Sequence, residues 1–182
     1  MSVALAAIKQ GKRKKELFDE FPSICARYPR FVTEASLLYA KSRDWKSIVN
    51  VFWGETGTGK TRKAFEEAST DLYVHSGGKW FDGYEGQENV IFDEFGGSDF
   101  ALRYFLQLID RYPMKVPVKG GFVEWVPKKI WITANYSPKD WYSSAKEEHQ
   151  KALMRRIDRI VRFRRLSSVL EDPVSEHEHL VE

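Results

Sequence analysis

The chain has 182 residues, 30% charged and 42% hydrophobic, with a formal net charge of +3. This globular composition holds no apolar run near the ~18 residues of a membrane span and no basic-then-apolar leader after Met1, so an intracellular, non-secreted protein with no membrane partner is expected. Cys25 stands alone, which excludes an internal disulfide, and no Cys/His set has zinc-ligand spacing.

In chain order, a basic run comes first, with Lys9, Lys12, Arg13, Lys14 and Lys15. Such runs are most often solvated surface; a nuclear address or a polynucleotide-contacting arm is the alternative. Residues 16–41 carry Leu17, Phe21, Ile24, Val32, Ala35 and Leu38 at helical spacing, interrupted at Pro22 and Pro29, which predicts two or three short helices. After a junction at residues 43–46 the chain alternates. Strand 48–53 leads to helix 59–68, then strands 72–75 and 89–93 and a helix capped by Ser98 and running to Tyr112. Residues 116–118 and 122–125 form a hairpin around Lys119-Gly120-Gly121, with Phe122 and Trp125 read as its anchors. Strand 130–133, helix 146–154 and strand 157–163 complete the pattern. Alternation of this kind predicts an α/β fold with a mostly parallel central sheet flanked by helices, and ligands beyond the carboxyl ends of its strands. The expected division is a basic arm and helical segment at 1–42, the α/β domain at 43–165, and an acidic, disordered tail at 166–182.

Gly54-Glu55-Thr56-Gly57-Thr58-Gly59-Lys60-Thr61 matches a phosphate-binding loop at every defined position, with a strand before it and a helix after it. The chemistry needs this layout. Glycines let the backbone curl until successive N–H groups face phosphate oxygens, and the helix adds its positive end. Lys60 reaches the outer phosphates and the Thr61 hydroxyl suits Mg²⁺. Asp93 and Glu94 end the apolar run 89–92, where Asp93 could support the metal and Glu94 could polarise water. Two acids at a strand end are also an ordinary loop; their place downstream of a phosphate loop favours the functional reading. No Asn-Lys-x-Asp guanine-reading segment occurs, so ATP is the expected nucleotide. The strand at 130–133 leads to Asn135, whose amide could bond both a γ-phosphate and the attacking water, or could simply open the turn before Ser137-Pro138. Arg155 and Arg156 follow on a helix end, either solvated or able to reach a neighbouring subunit's nucleotide.

Taken in order, these segments resemble the superfamily 3 helicase domain of replication initiator (Rep) proteins of small circular single-stranded DNA viruses, circovirus-like above all. Trp80-Phe81-Asp82-Gly83-Tyr84, Asp110-Arg111-Tyr112-Pro113 and Trp141-Tyr142-Ser143-Ser144 add to the likeness, which covers about residues 20 to 165. The resemblance implies an AAA+-like P-loop NTPase preceded by a small helical oligomerisation segment, using ATP and Mg²⁺, assembled as a ring, usually a hexamer, on single-stranded or forked DNA in a host nucleus. It makes residues 54–61 the Walker A loop, Asp93 and Glu94 the Walker B pair and Asn135 the motif C sensor. It puts Lys119 on a DNA-tracking hairpin and favours Arg156 over Arg155 as the arginine finger. Neither the His-hydrophobic-His motif nor the tyrosine-lysine pair of a Rep nicking domain occurs upstream, and His177-Glu178-His179 lies in the polar tail, so nicking is not expected of this chain. Two other readings remain open: a DNA-binding or assembly module that uses ATP without unwinding, and a nucleotide kinase, against which the paired acids and the Lys119 hairpin argue.

Overall fold

The computed structural model describes residues 1–75 and 77–165. Helices α1 (Ser2–Lys9), α2 (Lys14–Glu20), α3 (Pro22–Arg27) and α4 (Pro29–Leu38) come first. Then follow β1 (Ile48–Gly54), α5 (Lys60–Ala68), β2 (Leu72–His75), β3 (Asn89–Phe92), α6 (Leu102–Leu108), β4 (Lys115–Val118), β5 (Gly121–Glu124), β6 (Lys129–Ala134), a 3₁₀ turn (Pro138–Asp140), α7 (Glu147–Met154) and β7 (Arg159–Phe163). None of the helices among the described residues is long and apolar enough to cross a membrane. The predicted tail at 166–182 lies outside the described residues.

The chain forms two compact units, one of them Met1–Asp44 with Trp80–Gly86 and Pro113–Val126. Its helices bury Ala7, Ile8, Leu17, Cys25, Val32 and Ala35 together. Pro22 and Pro29 each occupy the first turn of a helix, where the missing N–H costs nothing, so they start α3 and α4 rather than break one long helix. Helix α1 was not expected from the sequence; Ala4, Ala7 and Ile8, spaced three and four apart, give it a buried stripe. The hairpin of β4 and β5 is antiparallel, pairing Val116 with Val123 and Val118 with Gly121. Trp125 is its anchor: fully buried, it packs edge-on to Phe81 at 5.2 Å and against Tyr84 at 4.8 Å. Phe122 corrects the sequence reading, since it is 59% exposed. Three positions along a strand of period two place Phe122 and Trp125 on opposite faces, so only one of them can be core.

The second unit holds Trp45–Lys79, Gln87–Tyr112 and the described residues from Pro127 on. Its sheet has five parallel strands in the order β2-β3-β6-β1-β7. The strand before the phosphate loop thus lies between β6 and β7, the last two strands among the described residues, the arrangement of AAA+ class P-loop ATPases. Strands β1, β3 and β6 are buried on both faces and read as near-continuous apolar runs. One face packs Phe52, Ile91 and Trp131 against Ala64 and Ala68 of α5. Glu67 on the same helix accepts hydrogen bonds from Trp131 Nε1 at 3.0 Å and from Arg159, tying α5 to β6 and β7.

An aromatic cluster of Phe92, Phe95, Phe100, Phe105 and Trp141 packs elsewhere in this unit, with Phe95 stacked on Phe105 at 4.8 Å and edge-on to Trp141 at 4.7 Å. His75 is buried beside Phe92 and Phe100; burial pushes its pKa down, so it packs as a neutral imidazole. Helix α6 is shorter than expected and begins after Ala101, with no side-chain cap. Ser98 is not the cap: it lies three residues before Ala101, the residue that precedes α6, while the Asp99 carboxylate accepts the Gly96 N–H at 2.8 Å and buried Phe100 joins the cluster.

Candidate active site

The strand order brings together what the sequence keeps apart. β3, β6 and β1 are neighbours, and the phosphate loop, the Asp93-Glu94 pair and the Thr133–Asn135 segment stand at their carboxyl ends. A cavity of about 230 Å³ there is lined by Thr56, Gly57, Gly59, Lys60, Thr61, Arg62, Glu94, Thr133, Ala134 and Asn135.

The loop conformation follows from its glycines. Gly54 has φ 141° beside β7, and Gly59, at φ 89°, is the left-handed residue from which α5 starts. Thr58 Oγ1 donates to the Glu55 carbonyl at 2.8 Å and closes the turn between them. Lys60 is buried, and its ammonium donates to the Gly54 carbonyl at 2.8 Å, the Glu55 carbonyl at 2.7 Å and Asn135 Oδ1 at 3.3 Å. Burial lowers its pKa, an effect that the neighbouring Glu94 and Asp93 carboxylates only partly offset.

Asp93 Oδ1 accepts two hydroxyls, Thr61 Oγ1 at 2.8 Å and Thr133 Oγ1 at 2.7 Å. Thr61 Oγ1 and Asp93 Oδ1 are hard donors, and neighbouring oxygens of an octahedral Mg²⁺ shell with bonds of about 2.0–2.1 Å lie about 2.9 Å apart. The pair therefore fits Mg²⁺. No set of three His, Cys, Asp or Glu side chains able to hold a metal occurs among the described residues, so such an ion would take its remaining oxygens from phosphate and water. Glu94 is a non-glycine residue at φ 53°, a conformation that costs roughly 1–2 kcal/mol. It lines the cavity in that conformation.

The remaining expected residues lie elsewhere. Arg156 is bound within its own unit: Nε and Nη2 donate to Asp110 Oδ2 at 3.0 and 2.7 Å, and Nη1 to the Ala152 carbonyl at 2.8 Å. Arg155, next to it, is exposed. Lys119 stands at the hairpin turn with its side chain 78% exposed, and Asp82 receives both its backbone N–H at 2.7 Å and its ammonium at 3.4 Å. Sequence reasoning gave no role to Thr133, Asp110 or Asp82. For Thr133 a signal existed, because a lone hydroxyl ending an apolar strand in register with an acid is a candidate partner for it.

Residues 50–136 match a family model described as RNA helicase. The replication-associated protein of beak and feather disease virus is 44% identical over 161 residues, covering 86% of this chain and 53% of that protein. That of canary circovirus is 41% identical over 157 residues, again with 86% of this chain and 53% of the relative covered. The chain thus spans about half the length of the curated relatives it matches. Among solved structures, an S. cerevisiae Hsp104–ADP complex is 20% identical, covers 80% of this chain and 26% of that one, and has a TM-score of 0.43; the fold class rests on strand order instead. The nucleotide-site geometry and the matches meet on the same residues: the chain is similar to circovirus replication-associated proteins over the part it shares with them, and residues 50–136 match the helicase family model.

Proposed function

We propose that this chain is an ATP-driven helicase motor that hydrolyses ATP with Mg²⁺ and separates DNA strands as a homo-oligomeric ring, a hexamer on the family's pattern. The observation that carries this reading is the gathering of Lys60, Thr61, Asp93, Glu94 and Asn135 at one set of strand ends around one cavity. The backbone N–H groups of residues 54–61 and the start of α5 bind the phosphates, and the Lys60 ammonium neutralises the charge that grows on the outer ones. Thr61 and Asp93 would hold the metal ion, which when bound would supply charge neutralisation to the phosphates. Glu94 faces the cavity from the adjoining strand end and polarises the attacking water. The Asn135 amide, already bonded to Lys60, orients the γ-phosphate and that water.

DNA is the proposed polynucleotide on the relatives' replication role, and Lys119 at the turn of an exposed hairpin is its proposed contact. The deciding experiment follows strand separation of forked DNA and forked RNA duplexes with ATP and Mg²⁺. Separation of the DNA fork that stops with a non-hydrolysable analogue is expected. ATP turnover without separation of either fork would assign the chain to ATP-gated binding or assembly instead.

A guanidinium from a neighbouring copy completes such sites, and Arg156 is proposed for that role. Arg156→Ala is expected to cut turnover of the assembled protein by roughly 10³-fold or more, with ATP affinity retained in equilibrium binding. Full turnover in Arg156→Ala combined with loss in Arg155→Ala would move the role to the exposed neighbour.

A further inference from the structure

Thr133 is buried at 1% exposure near the end of β6, and three hydrogen bonds join it to the segment that carries both acids. Its hydroxyl donates to Asp93 Oδ1 at 2.7 Å. The same oxygen accepts the Glu94 N–H at 2.9 Å. Its carbonyl accepts the Phe95 N–H at 2.7 Å. A hydroxyl has one proton and two lone pairs, so one threonine can satisfy both a carboxylate acceptor and an amide donor.

The position matters because β3 ends at Phe92, opposite Ile132, and the chain then departs from strand geometry. Glu94 takes φ 53°, which turns its side chain toward the cavity instead of along the alternation of a continuing strand. A left-handed non-glycine residue persists only where its surroundings hold it. Glu94's own N–H is held by the Thr133 hydroxyl, between the Phe95 N–H bond to the Thr133 carbonyl and the Asp93 N–H bond to the His75 carbonyl. The proton of that hydroxyl meanwhile fixes the Asp93 oxygen that also accepts Thr61 Oγ1.

We propose that Thr133 is a positioning residue that sets the orientation of both acids at once, locking Asp93 toward Thr61 and Glu94 toward the nucleotide. The role rests on the hydrolase reading of the site given above. It requires both functions of the hydroxyl, so valine, of equal shape, cannot replace threonine, whereas serine can.

The test compares Thr133→Val, Thr133→Ala and Thr133→Ser with wild type and with Glu94→Gln. Three readouts are taken: ATP turnover, equilibrium binding of a fluorescent ATP analogue without added metal, and the thermal melting midpoint. Thr133→Val and Thr133→Ala are expected to lower kcat by about 10- to 100-fold, the effect of losing one or two buried hydrogen bonds to a charged or strained group. Metal-free analogue affinity stays within about threefold, because the phosphate loop is untouched, and Thr133→Ser keeps turnover within about threefold of wild type. Thr133→Ala adds no bulk and so decides the case if valine fails to fold. If both fail to fold while serine folds, the hydroxyl serves folding alone and the proposal is overturned. Unimpaired turnover in either hydroxyl-free variant, beside a wild type whose turnover Glu94→Gln abolishes, overturns the role alone. A wild type whose turnover does not depend on Glu94 overturns the reading of the site, and this role with it.

Discussion

Replacing Lys60 with alanine is expected to leave a folded protein that no longer turns over ATP. The ammonium makes three hydrogen bonds at the head of α5 and interacts electrostatically with Glu94 and Asp93. Without it the developing charge on the outer phosphates would lose the buried cation that offsets two nearby carboxylates. Removing one preorganised charge-stabilising group typically costs about 10²–10³ in rate, and the two acids push the loss to the upper end. The cost to the fold is smaller: the Gly54 and Glu55 carbonyls and Asn135 Oδ1 lose a donor, roughly 1–3 kcal/mol if nothing replaces it, and the open cavity lets water do so. A turnover assay beside a thermal melt checks both halves. Wild-type turnover in Lys60→Ala would place the chemistry elsewhere.

Gly54→Ala should do the reverse, damaging the fold before the chemistry. Gly54 ends β1 in register with Phe163 of β7, and a Cβ built there would sit 2.0 Å from the Phe163 carbonyl oxygen. The obstacle is backbone of a paired strand, so β7 must move or the pairing must open. Overpacking costs about 1–3 kcal/mol, and φ 141° adds backbone strain for any L side chain. A loss of about 3 kcal/mol or more in chemical denaturation is expected. Gly57→Ala is the control: there the nearest atom is the tip of Arg165 at 3.7 Å, so only the penalty of its φ, 79°, of roughly 1–2 kcal/mol applies. Equal losses at the two positions would mean that the close approach of β1 and β7 does not limit stability.

Much of this architecture is legible in the sequence because it is local. Strand β2 falls at the expected residues, and β1, β3 and β6 announce themselves as apolar runs closed by glycine, acids or a polar pair. The phosphate loop is readable because its chemistry dictates glycine positions. What the sequence hides is pairing. Ser98 looks like a helix cap, yet α6 starts three residues later than that cap would allow, after Ala101, and Asp99 beside it accepts the Gly96 N–H instead. Phe122 looks like core by composition and is solvent-facing by parity. Asp110 and Arg156 are distant in the chain, so the contact of two guanidinium nitrogens with one Asp110 oxygen has no local signature. Thr133 was visible as a polar strand end, but its double bond to the acids exists only once β6 lies beside β3.

That dependence on adjacency reaches the outermost strand. β7 contributes no residue to the cavity, yet it covers the hydrogen-bonding edge of β1 from Asn50 to Gly54. A fragment stopping at residue 136 would keep every group that lines the cavity and lose that cover. Its β1 would become a bare, hydrophobic edge strand open to pairing with any passing chain, prone to cross-molecular association and precipitation. β7 therefore works as a guard rail, keeping the edge of β1 out of reach of other copies.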